Sequence, residues 1–169
     1  MTAPVLRLAT ERDIGVIQMI EAAGLTMFPP ESLPPGAGRL MPVEELAAAR
    51  SASLLWVACF QRDEPVGFLA AEVVSGCLHI WEMDVLPAHG RRGVGGALLQ
   101  QATIEAARRG LYGSTLTTFD HLPWNAPFYS KHGFAAVEAF ERFPHLLSIL
   151  QDEQRRGLEH RVAMVKKAA

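Results

Sequence analysis

The stretch that most restricts how this chain can fold runs from residue 77 to residue 119. It comprises an apolar run, a glycine-rich turn, a helical pattern and a second apolar run. Between Cys77 and Leu86 the residues alternate. Cys77, His79, Trp81, Met83 and Val85 share one face, while Leu78, Ile80, Glu82, Asp84 and Leu86 share the other. Apolar residues on both faces predict a central strand. From Val94 the stripe Val94, Leu98, Ala102 and Ala106 recurs every four residues, as on the buried side of a helix that Gly110 ends. Ser114 to Phe119 is a threonine-rich strand. Strand, helix and strand in this order form a βαβ unit, most simply parallel and right-handed.

The remaining segments fit around that unit. Val5 to Leu8 reads as a strand, and Thr10 with Asp13 as a capping pattern that opens a helix with Gly24 as its predicted end. Leu25 to Pro42 carries Pro29, Pro30, Pro34, Pro35 and Pro42 with Gly36 and Gly38, so a surface loop is expected. Pro42 suits the first turn of a helix over Val43 to Arg50. Leu54 to Phe60 and Val66 to Val74 flank "QRDEP" as a hairpin. Downstream, "PWNAPFYSKHGF" reads as a short helix closed by Gly133, followed by a strand Phe134 to Phe140, a helix His145 to Arg156 and a last strand in "HRVAMVKK". The expected class is α/β or α+β with a mixed sheet, and 169 residues suit one domain spanning 1–169 with its own core.

Composition narrows the function classes. Net charge is -2, and the arginine pairs are scattered among acids without interleaved aromatics, which argues against a nucleic-acid partner. No run approaches the roughly 20 apolar residues of a membrane span, and "MTAPVLRLAT" lacks a signal pattern, so a cytoplasmic protein is expected. Cys59 and Cys77 sit in apolar strands without metal-ligand or redox spacing and read as reduced core residues.

The turn "RRGVGGALL" combines Arg91, Arg92, Gly93, Val94, Gly95 and Gly96 at a helix start. Unpaired N–H groups and the helix dipole favour an anion there, and glycine admits a ligand close to the backbone. Tight packing of strand against helix is the competing explanation. A Walker motif is excluded because Ala97 and Leu98 follow Gly96, and the glycine spacing does not give the dinucleotide fingerprint.

"MDVLPAHGRRGVGGALL" resembles the acetyl-CoA-binding motif of the GNAT superfamily of N-acetyltransferases, and "WNAPFYSKHGF" resembles its second signature. The resemblance covers nearly the whole chain, with Val85 to Phe134 its specific part. One position departs: Gly90 stands where the motif has Gln or Arg. The resemblance implies a GNAT-like fold: a mostly antiparallel central sheet with one parallel βαβ unit and helices on both faces. It further implies acetyl-CoA as co-substrate, with no metal. The backbone of Met83 and Val85 would pair with the pantetheine arm, residues 91 to 96 would hold the pyrophosphate, and Asn125 and Phe128 would border the cofactor.

Acyl transfer from a thioester needs a neutral amine, a stabilised carbonyl oxygen and a proton for the departing thiolate. The family's general-acid tyrosine falls at Tyr129, and a phenol, with a reference pKa near 10, holds its proton at neutral pH. Asn125 either caps the short helix or binds the cofactor. His79 is the preferred base and Glu82 the runner-up, and an acceptor of low pKa needs neither. The implied activity is direct acetyl transfer to a primary amine of a small molecule, peptide or protein. The alternatives are a non-catalytic acyl-CoA-binding module and a phosphometabolite-binding protein. The loop Leu25 to Pro42 and the helix His145 to Arg156 are candidates to line the acceptor site, and the helix also suits a homodimer contact.

Overall fold

The computed structural model describes residues 2–169. Seven strands hydrogen-bond in the order β1-β2-β3-β4-β5-β7-β6. They are β1 (Val5–Leu8), β2 (Leu55–Cys59), β3 (Pro65–Val74), β4 (Cys77–Val85), β5 (Gly113–Phe119), β6 (Ala135–Ala136) and β7 (Arg161–Lys167). The helices are α1 (Ile14–Leu25), α2 (Val43–Ser51), α3 (Val94–Arg108), α4 (Ala126–Lys131) and α5 (Pro144–Arg155). β4 and β5 are parallel, in the register Leu78↔Ser114 and His79↔Thr115, as the βαβ reading requires. The result is a mixed α/β fold whose sheet is mostly antiparallel.

The chain forms two compact units. The first contains Met1–Pro29, Arg39–Glu72 and Ile80–Gln101. Its core joins Ile14, Ile17 and Ile20 of α1 and Leu46 of α2 to Leu55 and Val57 of β2 and Phe68 and Ala70 of β3. Alternation along β3 sends Gly67 the other way, where a side chain would meet Val94 of α3. Helices therefore lie on both faces of these strands. At the start of the chain the backbone N–H of Thr10 donates to Asp13 Oδ2 (2.7 Å), its hydroxyl donates to the same oxygen (2.9 Å), and Asp13 N–H donates to Thr10 O (3.1 Å). This is the predicted capping pattern. Arg7 completes it with two bonds to the Asp13 carboxylate, at 2.8 and 3.0 Å.

The second unit contains Pro30–Gly38, Val73–His79 and Ala102–Ala169. Its core joins Cys77 of β4, Leu146 of α5 and Ala163 of β7 to Phe143. A polar clamp ties α5 to the sheet. Glu153 accepts from Thr117 Oγ1 (2.7 Å) and from Arg161 Nε (3.0 Å) and Nη2 (2.9 Å), and the Arg161 guanidinium lies 4.5 Å over the Phe119 ring. The stripe Val94, Leu98, Ala102 and Ala106 is buried throughout, and Gly110 ends α3 at φ 67°.

Three expectations change. Gly24 does not end its helix but lies inside α1, where a Cβ would collide with the Asp84 side chain; it is there for space rather than termination. Pro42 precedes α2 instead of opening it, at ψ 146°, with its carbonyl accepting from Glu45 and Leu46. The strand expected over Phe134 to Phe140 shrinks to Ala135–Ala136. Val137, Phe140 and Phe143 all pack in the Cys77 cluster, and a spacing of three cannot keep residues on one face of an extended strand.

Arg7 and the Thr10 groups hold the Asp13 carboxyl down to about 2, from an ordinary 3.8. Because the folded value is depressed, its contribution of about 2 kcal/mol is complete above pH ~4 and disappears as the pH falls towards 2. The melting temperature should drop across that window, and the drop should be shallower in Asp13→Asn. Parallel melting curves of parent and variant between pH 5 and 2 check this.

Candidate functional site

In the first unit, β4 ends at Val85, and Leu86, whose N–H donates to Val66 O (2.8 Å), leads into a tight turn over Pro87–His89. Two residues then adopt left-handed backbone, Arg91 at φ 57° and Gly93 at φ 82°. For Arg91 that conformation costs roughly 1 kcal/mol, the kind of strain found at ligand clamps. Gly93 O accepts from Ala97 N (3.0 Å) as α3 begins, so the N–H groups of Val94, Gly95 and Gly96 belong to the helix's first turn, where no carbonyl of the helix itself can pair with them. A Cβ on Gly67 would stand 2.9 Å from Val94 Cγ1, 3.0 Å from Asp84 O and 3.3 Å from Val85 Cγ2. Glycine at 67 therefore lets the helix start and the end of β4 close on one another.

The cationic side chains here are organised. Arg92 lies 4.2 Å over the Phe60 ring, and its Nη1 is 2.9 Å from His89 Nδ1, while His89 stacks on Phe60 at 5.7 Å. Gly90 has an ordinary backbone (φ -59°, ψ 153°), so the departure at this position is a missing side chain and not an altered turn. The turn thus combines helix-start N–H groups and a dipole with Arg91 and Arg92 in its sequence, features that suit an anion.

The end of β4 also carries carboxylates. Asp84 packs against α1 at Gly24, beside Glu21, whose two oxygens accept from Met41 N at 2.9 and 3.0 Å. Burial raises the Asp84 carboxyl to about 7, with the Glu21 charge adding to the rise and a hydrogen bond with Glu82 opposing it. Burial raises Glu21 as well. Sequence reasoning singled out Glu82 and missed Asp84. The available signal was two carboxylates two residues apart, hence on one face, of an otherwise apolar strand.

In the second unit, His79 is 1% exposed. Its Nδ1 is 3.0 Å from Thr115 Oγ1, which is 3.1 Å from His145 Nε2, and the two imidazoles meet edge to face at 5.7 Å. Burial, with the neighbouring His145, drives His79 down to about 3, and burial lowers His145 too, so both rings are neutral at physiological pH. Asn125 precedes α4, and its carbonyl accepts from Phe128 (2.8 Å) and Tyr129 (3.1 Å). Its side chain makes no capping bond, and its buried Nδ2 has no hydrogen-bond partner among the described residues. A buried amide donor in that state fits a ligand that brings an acceptor. Tyr129 is half-buried between the rings of Phe128 (5.3 Å) and Phe134 (5.9 Å). Cys59 and Cys77 are free and buried, with burial raising both thiols, so neither is an activated nucleophile.

Residues 51–136 match the acetyltransferase (GNAT) domain family. The chain belongs to the GNAT acetyltransferase family. Solved structures share its fold. A Mycobacterium tuberculosis protein in complex with CoA superposes with a TM-score of 0.73 at 20% identity, covering 98% of this chain and 100% of the other. The ribosomal-protein-S18-alanine N-acetyltransferase of Escherichia coli gives 0.70 at 16%, covering 98% and 94%. The PaiA N-acetyltransferase of Thermoplasma acidophilum in complex with coenzyme A gives 0.72 at 15%, covering 98% and 99%.

As a GNAT enzyme the protein is an acetyl-CoA-dependent N-acetyltransferase that passes the acetyl group to an amine. The matched span contains the glycine turn and α4, and so both motifs. Met83, Val85 and residues 91–96 lie together in the first unit with Glu82; His79, Asn125, Phe128 and Tyr129 lie in the second. Among the described residues no helix is long and apolar enough to cross a membrane.

The raised Asp84 value has a definite pH consequence. The fold favours the protonated carboxyl, so this contribution to stability is complete below pH ~4 and is lost as the pH rises through about 7. Asp84→Asn should therefore melt closer to the same temperature at pH 5.5 and pH 8.5 than the parent does. Calorimetric scans at the two pH values decide; an undiminished difference in the variant would place the titration elsewhere.

Proposed function

We propose that residues 1–169 act as one N-acetyltransferase domain that acetylates a primary amine by direct transfer, with no acetylated enzyme. The observation that carries this reading is the turn from Arg91 to Gly96, where left-handed backbone at Arg91 and Gly93 leads straight into the start of α3 in a segment that also carries two arginines. Acetyl-CoA supplies the activated acetyl group as a thioester. The N–H groups of Val94, Gly95 and Gly96, with Arg91 and Arg92, hold the pyrophosphate. The backbone of Met83 and Val85 pairs with the amides of the pantetheine arm; Asn125, whose Nδ2 has no partner among the described residues, and Phe128 are cofactor-binding by their place in the second family motif.

Tyr129 serves as general acid, its hydroxyl giving a proton to the leaving sulfur. For the base the environments favour Glu82. It is half-buried, hydrogen-bonded to Asp84 and in the same unit as Met83, Val85 and the glycine turn, so a carboxylate stands where an amine's proton has to be taken. His79, enclosed and bonded through Thr115 to His145, orders the strand that carries these groups. The acceptor is a small molecule or a peptide or protein amine. The cytoplasm, where acetyl-CoA is supplied and buried thiols stay reduced, is its proposed compartment, and α5, with Leu147 exposed, is the surface proposed for a homodimer.

Two measurements test this assignment. Calorimetric titration with acetyl-CoA should show binding that weakens about ten- to a hundredfold when Arg91 and Arg92 are both changed to alanine. Equal affinity in the variant would remove the cradle. With an acceptor in hand, Tyr129→Phe should lower kcat by roughly ten- to a thousandfold with little change in cofactor affinity. Unchanged turnover would mean that another group protonates the sulfur.

A further inference from the structure

The end of β5 and the turn into β7 collect three metal-ligating side chains that the acetyl-transfer reading does not use. Asp120, His121 and His160 each present one donor atom, and the three donors lie within 4.8 Å of one another on an exposed surface. Backbone geometry brings them there. The β5–β7 ladder ends at Phe119↔Arg161, and Asp120 N–H donates to His160 O (2.8 Å), carrying the pairing one residue further. His160 Nδ1 is 3.9 Å from Asp120 Oδ1, and the His121 and His160 rings are 4.6 Å apart.

The set is also held in place. Ser32, a buried residue of the proline-rich segment, has its hydroxyl 3.2 Å from His121 Nε2, and the His121 ring meets Phe119 edge to face at 5.4 Å. A fixed hydrogen bond on one ring nitrogen sets the orientation of an imidazole ligand. His160 keeps a left-handed backbone at φ 55°, an unfavourable conformation for a residue with a side chain. Two imidazoles and a carboxylate are the donor set of a borderline divalent cation, with water in the fourth position. Tetrahedral zinc with bonds of about 2.0–2.2 Å places its donors about 3.3 Å apart, so exposed side chains need to close by roughly 1 to 1.5 Å.

We propose that Asp120, His121 and His160 form a binding site for Zn2+ or a cation of similar chemistry, oriented by Ser32. Acetyl transfer requires no step at such an ion. Its role is to fasten the end of β5 to the start of β7 and, through Ser32, to the segment Pro30–Gly38, stabilising the folded state by mass action. Residues 120, 121 and 160 form no contiguous motif, so only the strand pairing reveals them as a set.

The test is calorimetric titration of the chelator-stripped protein with Zn2+, beside His121→Gln, His160→Asn and the double variant. Asparagine is used at 160 because it tolerates left-handed backbone. One ion per chain is expected, with affinity at least about tenfold weaker in each single variant and a Zn2+-dependent rise in melting temperature that the double variant loses. In the parent alone, Zn2+ should protect His121 and His160 from diethyl pyrocarbonate, as located by mass spectrometry, a readout that needs no variant to fold. No stoichiometric binding by the parent, undiminished binding by the double variant, or modification of both histidines in the presence of the ion would each overturn the proposal.

Discussion

Gly67 is where the first unit allows two backbones to meet. A methyl group there would press on Val94 Cγ1 and on the carbonyl of Asp84 at once, and while a side chain can turn aside, a carbonyl in a strand cannot. The bare position lets the first turn of α3 sit directly against the end of β4. The N–H groups of that turn and the backbone of Met83 and Val85 consequently lie in one unit. Gly24 does the same on the other side of β4, where the missing Cβ leaves room for the Asp84 carboxyl against α1. Two absent side chains thus position both the glycine turn and the carboxylate cluster.

The buried polar groups follow from the same economy of space. His79, Thr115 and His145 share one hydrogen-bonded chain in which a single hydroxyl serves two rings. Such a chain is tolerable in the interior only while both imidazoles are neutral, and burial enforces that state. Burial makes the carboxyls of Glu21 and Asp84 take up protons more readily, and the Glu21 charge adds to the rise at Asp84. Asp13 shows the opposite response, since Arg7 lies within hydrogen-bond reach and stabilises its charge. One residue type, placed in two environments of this chain, is pushed in opposite directions, and only the group pushed towards neutrality stands in the neighbourhood proposed for proton transfer.

Much of the fold was legible because local patterns and tertiary contacts agreed. The stripe from Val94 to Ala106, the hairpin around "QRDEP" and the parallel pairing of β4 with β5 all follow from periodicity and chain order. Reading failed where one residue type serves two ends. Gly24 looked like a helix terminator because glycine commonly is one, yet here it relieves a contact from a residue sixty positions away. The stretch Phe134 to Phe140 looked extended because it is apolar, but a core that takes Val137, Phe140 and Phe143 together requires a turn.

For the site, the amino-acid order by itself determined the glycine turn, its arginines and the Asn-to-Tyr segment, and with them the family and the acetyl-CoA chemistry. Those features are contiguous, and the backbone conformations they need are written into neighbouring residues. Only the tertiary structure decided the state of each ionisable group: His79 enclosed and neutral, Asp84 raised beside Glu21, Asn125 with an unspent amide, and Asp120 and His121 brought to His160. Each of those depends on burial and on partners distant in the chain, and neither quantity is a property of a residue's neighbours in sequence.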